Sequence, residues 1–405
     1  MSGTTTGYRR SRREDYLPLP VAFAPWIALV VYILIKVRLP RPLPVVDATD
    51  RAAPLVSVIV PARNEERSIR SCVESIVASD YPDFEVIVVD DRSDDATLEL
   101  ARAIPPNHAR RVVAVEGGPL PEGWMGKPWA CAQGAKVAEG DLLLFTDADT
   151  VHAPELLGQA VAGLVEDDGD ALTLLGRQIM ESFWERLVQT HMMAAIVFRF
   201  PNPGKPLPPE RWRDAIANGQ FMLFDRGSYE DIGGHEAVKG EIVEDQRLAQ
   251  ILCRSGKRLT VRAAETVFAT RMYRSLGEMI QGWSKNLSLA ARQAVPRWAV
   301  PIVMPAGIVV SVLIWIVPPL VLLMSLAGVG PGGSLTGLGP NAWVIWSAWI
   351  TGLSVLAWSL VGWRLGAPLW TGAFYPLAAG VVNFIFLRSW IRGGHVEWKG
   401  RQYRV

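Results

Sequence analysis

Two pairs of aspartates in the first half of the chain could bind a divalent cation together with a phosphorylated ligand. Asp90 and Asp91 follow one run of apolar residues, and Asp147 and Asp149 follow another. Carboxylates that share a cleft repel one another unless a cation or hydrogen-bond donors compensate. An Asp-x-Asp suits a hard cation that also takes diphosphate oxygens as ligands. Taken singly, each pair has a simpler alternative, namely a solvated turn for Asp147 and Asp149 and a helix cap for Asp90 and Asp91.

The elements that must position these aspartates read as strands of one sheet. Apolar runs alternate with helical patterns, and the runs cover residues 56–60, 84–89, 111–115 and 142–145. Such alternation is typical of a parallel sheet with helices on both faces. Ligands of such sheets bind beyond the carboxyl ends of the strands. Both aspartate pairs and the polar loop after the first strand fall at that edge, so the sequence predicts one crevice for a nucleotide diphosphate.

Long apolar runs flank this region. No Asp, Glu, Lys or Arg occurs in residues 16–35, 298–363 or 365–387. Because a bilayer core needs about 20 such residues as a helix, the runs suffice for one, two and one spans. An aromatic-rich soluble core is the alternative. Basic residues in place of a cleavage site follow the first run, which favours an anchor over a signal peptide.

Charge is segregated along the 405 residues. The net charge of +1 combines 27 basic and 35 acidic residues between positions 57 and 297 with two basic flanks. An acidic soluble part argues against nucleic acid as a partner. If that part is cytoplasmic and three spans follow it, the basic tail ends outside, against the positive-inside rule. One run therefore lies in the interface or re-enters the membrane, and the proline-containing stretch 296–319 is the candidate.

Seven short segments resemble, in order, the motifs of family 2 glycosyltransferases of the GT-A type. These are residues 58–65 (VIVPARNE), 88–95 (VVDDRSDD), 126–127 (GK), 147–149 (DAD), 218–220 (NGQ), 233–235 (GGH) and 244–245 (ED). Within the family, the sequence is most similar to the membrane-bound branch that includes hopanoid-associated and carotenoid glycosyltransferases. The resemblance implies an α/β fold with a Rossmann-like mixed sheet and helices on both faces. Transmembrane helices are expected at both ends.

The resemblance also implies a nucleotide-sugar donor and a divalent cation, Mg²⁺ or Mn²⁺. The residues expected to bind the donor are Pro61, Ala62, Asn64, Glu65, Asp90, Asp91, Lys127 and Asp147. Asp147 and Asp149 are expected to hold the metal, with Asp149 the more direct ligand. A surface lysine at the start of a helix is the alternative for Lys127.

The general base is expected on the other side of the sugar. Glu244 and Asp245 open a helical pattern and resemble the Glu-Asp pair whose aspartate deprotonates the acceptor. A carboxylate in that role gives inversion by a single displacement. The alternative is that both residues only complement the dipole at the helix N-terminus.

Four further residues are candidates near the acceptor. Gln220 and His235 belong to two of the motifs, while Gln281 and Trp283 lie in a segment that lacks the Gln-x-x-Arg-Trp of processive relatives. His235 is a candidate contact for phosphate or metal. The segment that contains Gln281 and Trp283 reads as an amphipathic helix on the membrane surface, with a core helix as the alternative.

The sequence thus predicts an N-terminal tail and anchor (1–52), a GT-A domain (53–270), an interfacial segment (271–297), transmembrane helices (298–390) and a basic tail (391–405). The expected activity is inverting, metal-dependent transfer from a UDP-linked donor to a hydroxylated membrane lipid, such as a carotenoid or hopanoid. The alternatives are a processive polysaccharide synthase and a scaffold that binds nucleotide sugar without turnover. The expected location is the inner cell membrane, with several spans and a cytoplasmic catalytic domain.

Overall fold

A computed structural model describes residues 19–46, 53–296, 298–329, 340–392, 395–398 and 401–404. The strands are β1 (Val56–Ala62), β2 (Phe84–Asp90), β3 (Val112–Glu116), β4 (Leu142–Thr146), β5 (Thr150–His152), β6 (Ala171–Leu175), β7 (Arg177–Gln178), β8 (Phe221–Asp225), β9 (Leu259–Ala263), β10 (Phe268–Thr270), β11 (His395–Trp398) and β12 (Arg401–Arg404). The predicted N-terminal tail lies outside the described residues, as does part of the basic tail.

The helices follow in chain order. They are α1 (Leu19–Lys36), α2 (Ile69–Val77), α3 (Thr97–Arg102), α4 (Gly126–Val137), α5 (Leu156–Glu166), α6 (Thr190–Arg199), α7 (Arg226–Asp231), α8 (Glu244–Arg254), α9 (Leu276–Ala294), α10 (Val300–Ser311), α11 (Val317–Leu326), α12 (Pro340–Arg364) and α13 (Tyr375–Arg392). A π-helical turn (Glu185–Gln189) leads into α6, and a second (Val312–Ile316) joins α10 to α11. A short 3-10 helix (Leu369–Phe374) leads into α13.

The main sheet is mixed, in the order β3-β2-β1-β4-β8-β6-β9. The four strands predicted from the apolar runs are all parallel, and Val56 pairs with Phe84 on one side and Leu142 on the other. β8 runs antiparallel between β4 and β6. This register aligns the carboxyl ends of β1, β2 and β4, which carry the predicted ligand-binding residues.

Both faces of the sheet are covered, as expected for strands that are apolar on both sides. Along β1, Val58 and Val60 pack into a core with residues of α2 and α5. Ile59 faces the opposite side, where the core includes Cys131 of α4 and Leu248 of α8. Successive side chains of a strand point to opposite faces, so one apolar strand supplies both cores.

A small sheet in the order β5-β10-β7 extends the site side of the domain. Thr150 of β5 pairs with Thr270 at the end of β10. The backbone N–H of Arg271 therefore lies 3.4 Å from the carbonyl oxygen of Asp149. Residues after β10 are brought to the predicted metal site, although they follow it by more than 120 positions in the chain.

Three helical segments are long and apolar enough to cross a membrane, within the part of the chain that the structure describes. They are Val300–Leu326, Trp343–Arg364 and Leu369–Arg392. The predicted N-terminal anchor is represented by α1, which contains a shorter apolar stretch, Ala24–Ile33. These segments support membrane association, while the predicted domain boundaries remain predictions.

The membrane-type helices pack directly on the soluble domain through α6. The ring of His191 stacks on that of Trp358, with centroids 3.6 Å apart. Burial lowers the pKa of His191 to about 3, so the ring is neutral. Tyr32 of α1 stacks on Phe198, and its hydroxyl donates to the Phe198 carbonyl at 2.9 Å. α6 is thus the common support of α1 and α12.

We predict that Gly134→Ala destabilises the soluble domain. A Cβ at Gly134 would overlap the Ile59 side chain and approach Val89 Cγ2 to 3.2 Å. Overpacking of this kind costs about 1–3 kcal/mol, so the thermal midpoint in detergent should fall by several degrees. Gly277→Ala in the first turn of α9 is the matched control, because a Cβ there approaches only Ser275 Oγ, at 3.9 Å. Equal midpoints for the two variants would contradict this account of the packing.

Candidate active site

A cleft of about 600 Å³ opens at the carboxyl ends of β1 and β4. It lies where the sequence predicted a crevice. Its walls include most of the predicted site residues, which are Pro61, Ala62, Asn64, Glu65, Asp91, Lys127, Asp147, Asp149, Gln220, Glu244 and Asp245. Four predicted site residues, Asp90, His235, Gln281 and Trp283, are not among the residues that line it.

The loops after β1 and β2 are tied together at one end of the cleft. Asn64 adopts a left-handed backbone (φ 53°), which asparagine tolerates better than most residues. Its N–H donates to Ser93 Oγ at 2.9 Å, and its side-chain oxygen accepts from the Asp94 N–H at 2.9 Å. Arg63 Nη1 donates to the Asp91 carbonyl at 2.5 Å. These bonds fix a polar shelf on which a nucleoside can lie.

Asp90 and Asp91 are not equivalent. Asp90 Oδ2 accepts from the Ser93 N–H at 3.1 Å, so this carboxylate closes the turn after β2, while its Oδ1 is buried without a hydrogen-bond partner among the described residues. Asp91 lines the cleft. Donor binding by either aspartate stays a prediction.

The Asp147-Ala148-Asp149 turn follows β4 at the centre of the cleft. Asp149 Oδ1 is buried and has no hydrogen-bond partner among the described residues. Burial, together with the charges of Asp147 and Glu65, raises the pKa of Asp149 to about 8. A buried carboxylate held among like charges is a site that a cation would stabilise.

Lys127 lies between the two groups of carboxylates. Its Nζ is 2.8 Å from Asp147 Oδ1 and 2.9 Å from Glu244 Oε1. Burial alone would lower the pKa of Lys127, but Asp147, Glu244 and Asp245 raise it well above its usual range. Lys127 is therefore an internal cation of the cleft, in place of the surface lysine that was its alternative.

Glu244 and Asp245 lie in the first turn of α8, and both line the cleft. Asp245 Oδ2 accepts from the Gly219 N–H at 2.7 Å. A Cβ at Gly219 would lie 2.8 Å from that oxygen and 3.1 Å from Lys127 Nζ, so only glycine fits here. Burial raises the pKa of both carboxyl groups, against the opposing effect of Lys127. The pair thus faces the ligand as well as beginning a helix.

Gln220 lies at the floor of the cleft. It is buried, and its Nε2 donates to Thr270 Oγ1 at 3.2 Å. Its Oε1 accepts from Asn218 Nδ2 at 3.2 Å. The Nε2 end of the amide thus joins the start of β8 to β10, and the Oε1 end is held by the loop that precedes β8.

His235 is a buried residue next to the cleft, and its contact with phosphate or metal stays a prediction. Its Nδ1 lies 2.8 Å from the Tyr229 hydroxyl, and its ring packs 4.5 Å from that of Phe145. Burial, with a smaller effect of Lys127, lowers the pKa of His235 to about 3. A neutral, hydrogen-bonded ring behind the cleft wall supports the fold.

Gln281 and Trp283 are not among the residues that line the cleft, and a role of either residue near the acceptor stays a prediction. Gln281 is exposed. Trp283 is buried against α13, and its Nε1 donates to Gln189 Oε1 at 3.1 Å. The face of α9 that carries Trp283 is therefore a packing face.

Sequence reasoning missed several residues of the cleft that follow β10. Arg271, Tyr273, Arg274, Glu278 and Lys285 all line it. Glu278 and Lys285 are seven positions apart, which places them on one face of α9. The seven-residue spacing could have been used to predict that Glu278 and Lys285 share a face of the helix. The pairing of β10 with β5, which brings Arg271 to the site, had none because both strands are three residues long.

A mixed sheet with acidic residues of this kind at its edge defines the class of GT-A glycosyltransferases. The sequence model of the family described as "Glycosyl transferase family 2" matches residues 57–233. The mannosyltransferase PcManGT from Pyrobaculum calidifontis, solved in complex with GDP-Man and Mn²⁺, shares the fold with a TM-score of 0.50 and 19% identity, over 92% of this chain and 94% of that one.

Curated relatives agree with the family model. The 4,4'-diaponeurosporenoate glycosyltransferase of Staphylococcus aureus strain MRSA252 is 28% identical over 86% of this chain and 88% of its own length. That of strain USA300 is 26% identical over the same shares. Residues 57–233 thus match the family 2 glycosyltransferase model, and over most of its length the chain resembles carotenoid glycosyltransferases.

We predict that Lys127→Met lowers glycosyl transfer by about 100-fold, a loss typical of removing one preorganised charge from an active site. The variant leaves Asp147, Glu244 and Asp245 without their shared cation. Activity of the purified protein in detergent is the measurement. Lys257→Met is the matched control, since Lys257 also forms an ion pair (2.9 Å to Asp231) but lies away from the cleft. An equal loss in both variants would contradict the role given to Lys127.

Proposed function

We propose that the protein transfers a sugar, with inversion and with a divalent cation, from a nucleotide-diphosphate donor to the polar end of a membrane lipid. One observation carries the proposal: Asp149 and Asp245 line the same cleft, and Lys127 forms ion pairs with Asp147 on one side and Glu244 on the other. A leaving group bound on one side and a base on the other is the arrangement that a single displacement requires.

The donor is expected to lie across the shelf formed by the loops after β1 and β2. Asp91 faces this end of the cleft, and a carboxylate can accept a hydrogen bond from a ring N–H of the base. We favour a UDP-linked donor. The similar mannosyltransferase from Pyrobaculum calidifontis was solved with GDP-Man, which makes a guanine nucleotide the second choice.

The cation is expected to be bound by Asp149 and Asp147. The buried Asp149 Oδ1 without a hydrogen-bond partner fits a metal-ligating oxygen. No group of three or more His, Cys, Asp or Glu side chains suited to a metal occurs among the described residues. Donor phosphates would therefore complete the coordination, as is usual for Mg²⁺. When bound, the cation would neutralise the charge that develops on the leaving diphosphate.

Asp245 is the expected base. Lys127 forms an ion pair with Glu244, whereas the oxygens of Asp245 accept backbone N–H groups of Gly219 and Gln246, both at 2.7 Å. These bonds hold the carboxylate in place while it accepts the proton of an acceptor hydroxyl. Burial raises the pKa of Asp245, which makes it a stronger base than an exposed aspartate.

The acceptor is expected to arrive from the membrane. α9 lines the cleft through Glu278 and Lys285, and its other face packs against α13 through Trp283. A lipid whose chain stays in the bilayer could then present its polar end to the cleft.

We propose a protein with several spans and a cytoplasmic catalytic domain at the inner membrane. A polysaccharide synthase or a scaffold without turnover are the alternatives.

Donor hydrolysis tests the metal site without any knowledge of the acceptor. We expect the purified protein to release sugar slowly from one of a panel of nucleotide sugars, with Mg²⁺ or Mn²⁺ but not with a chelator. Asp149→Asn should lower this rate by at least about 100-fold, because the buried metal ligand is lost. Asp168→Asn is the matched control, since the Asp168 side chain is 97% exposed.

Metal-independent hydrolysis, or an Asp149→Asn variant as active as the control, would contradict the proposed metal site. Donor binding without any hydrolysis, measured by calorimetry, would favour the scaffold. Products that carry more than one added sugar would favour the synthase.

Asp245→Asn tests the base. We expect donor binding to be retained and transfer to a lipid alcohol to fall by about 10²–10⁴-fold, the usual contribution of a general base. The acceptor in the relatives' name, diaponeurosporenoate, is a carboxylate, and a carboxylate needs no deprotonation at neutral pH. Transfer to a carotenoid carboxylate should therefore be less affected than transfer to a carotenoid alcohol. Loss of donor binding in Asp245→Asn would contradict this assignment, and Asp168→Asn again serves as the control.

A further inference from the structure

The chain after α12 turns back along that helix instead of leaving it. The Ala367 N–H donates to the Gly362 carbonyl at 2.8 Å, which ends α12. At Gly372, ten residues after Gly362, the backbone contacts an earlier part of α12. A Cβ at Gly372 would lie 2.6 Å from the Val355 carbonyl oxygen, so this close approach requires glycine.

The turned-back segment reaches deep into the helical region before α13 begins. Tyr375, the first residue of α13, is fully buried and shares a cluster with Trp358. Its ring lies 6.1 Å from that of Trp315. Trp315 is 15 positions beyond Val300, about 22 Å along a helix. Because Val300–Leu326 is a candidate span, Tyr375 lies near the middle of the membrane region.

α13 then runs back towards the soluble domain. Val382 and Ile385 pack in one buried cluster with Met279 and Trp283 of α9 and with Val188 of the π-helical turn. All three of these partners belong to the part of the chain that also forms or adjoins the catalytic cleft. The direction of α13 is therefore opposite to that of a helix that leaves the membrane on the far side.

The beginning of the segment lies at the soluble domain as well. An ideal Cβ on Gly362 would be 4.0 Å from Thr190 Cγ2, and Trp358 stacks on His191 at 3.6 Å. The end of α12 and the middle of α13 thus both adjoin α6, α9 or the turn between them.

We propose that residues 365–392 form a re-entrant hairpin that enters and leaves the membrane on the face of the catalytic domain. The candidate span Leu369–Arg392 then does not cross the bilayer, although its length and composition would allow it. The inference rests on the proposed membrane insertion of the chain. It also moves the re-entrant segment from the expected stretch 296–319 to residues 365–392, since residues 300–319 belong to the candidate span Val300–Leu326.

The hairpin explains the distribution of charge. Arg364 precedes the hairpin, and Arg388 and Arg392 end it, with no charged residue between Arg364 and Arg388. All three arginines, and the basic tail that follows, fall on the side of the catalytic domain. A cytoplasmic catalytic domain then satisfies the positive-inside rule, which a crossing by α13 would violate.

The hairpin also defines which leaflet the enzyme contacts beside its cleft. Residues of α13 cover the apolar face of α9, whose other face lines the cleft. The polar end of a lipid in the leaflet on the catalytic side has the shortest path to that cleft. The chemistry that fits this surface is a lipid with an apolar chain and a nucleophilic oxygen at its end.

Cysteine labelling of the full-length protein tests the hairpin. The native cysteines, Cys72, Cys131 and Cys253, are buried, so a membrane-impermeant maleimide should not react with the folded parent. Single cysteines are placed in the soluble domain (Asp168→Cys), after α11 (Val329→Cys) and at the end of α13 (Arg392→Cys). Each variant is labelled in intact cells and in inverted membrane vesicles, and donor hydrolysis confirms that it is folded.

We expect Asp168→Cys and Arg392→Cys to react on one face of the membrane and Val329→Cys on the other. Reaction of Arg392→Cys on the face of Val329→Cys would overturn the hairpin and leave the insertion proposal intact. Reaction of all three on one face would overturn the insertion itself. Ile391→Cys is a second variant at the same helix end, because Ile391 is 71% exposed; it replaces Arg392→Cys if the latter has no hydrolytic activity.

Discussion

The catalytic cleft depends on one partly buried ammonium group. Three carboxylates from two separate segments surround Lys127, and two of them lie within 2.9 Å of its Nζ. Without that cation their mutual repulsion and burial would favour protonated or displaced side chains. Burial raises the pKa of Asp245 even with Lys127 nearby, so the ammonium group offsets the burial of this carboxylate only in part. The room for the ammonium exists because Gly219 has no side chain. Lys127 and Gly219, which belong to two different motifs, thus depend on each other in this cleft.

The sequence allowed much of this site to be predicted, for reasons that are local. β1, β2 and β4 are continuous apolar runs, and parallel strands bring their carboxyl ends to one edge, which located Asp91, Asp147 and Asp149. Resemblance to family motifs supplied Asp245. The choice between Asp90 and Asp91 depends on which way a side chain leaves the strand, and pattern alone does not fix this. The burial of His235 could not be predicted either, because a buried histidine and a liganding one look alike beside two glycines.

Two other features had no local signal at all. Arg271 reaches the cleft only because β10 pairs with β5, and three-residue strands are too short to be read from periodicity. α13 has the length and composition of a span, yet its contacts with α9 show that it returns. The composition of a segment indicates whether it can lie in lipid, whereas the direction in which the helix runs depends on the helices it packs against. Contacts between segments that are far apart in the chain, such as β10 with β5 and α13 with α9, cannot be predicted from the local pattern of a single sequence.

The connection between cleft and membrane passes through the π-helical turn before α6. Its buried Glu185 accepts the Glu181 and Ser182 N–H groups and forms a 3.0 Å ion pair with Arg271, which lines the cleft. At the other end of the turn Gln189 binds Trp283, which packs against α13. These bonds lower the pKa of Glu185 despite its burial, so the link is charged at neutral pH.

A cleft of about 600 Å³ is of ordinary size for a small-molecule site. In the proposed function, a nucleotide sugar would occupy most of this cleft, and the chain of a lipid acceptor would remain in the bilayer. The link through Glu185 and Gln189 would then hold the cleft at a fixed height above the leaflet, so that only the polar end of that acceptor could react.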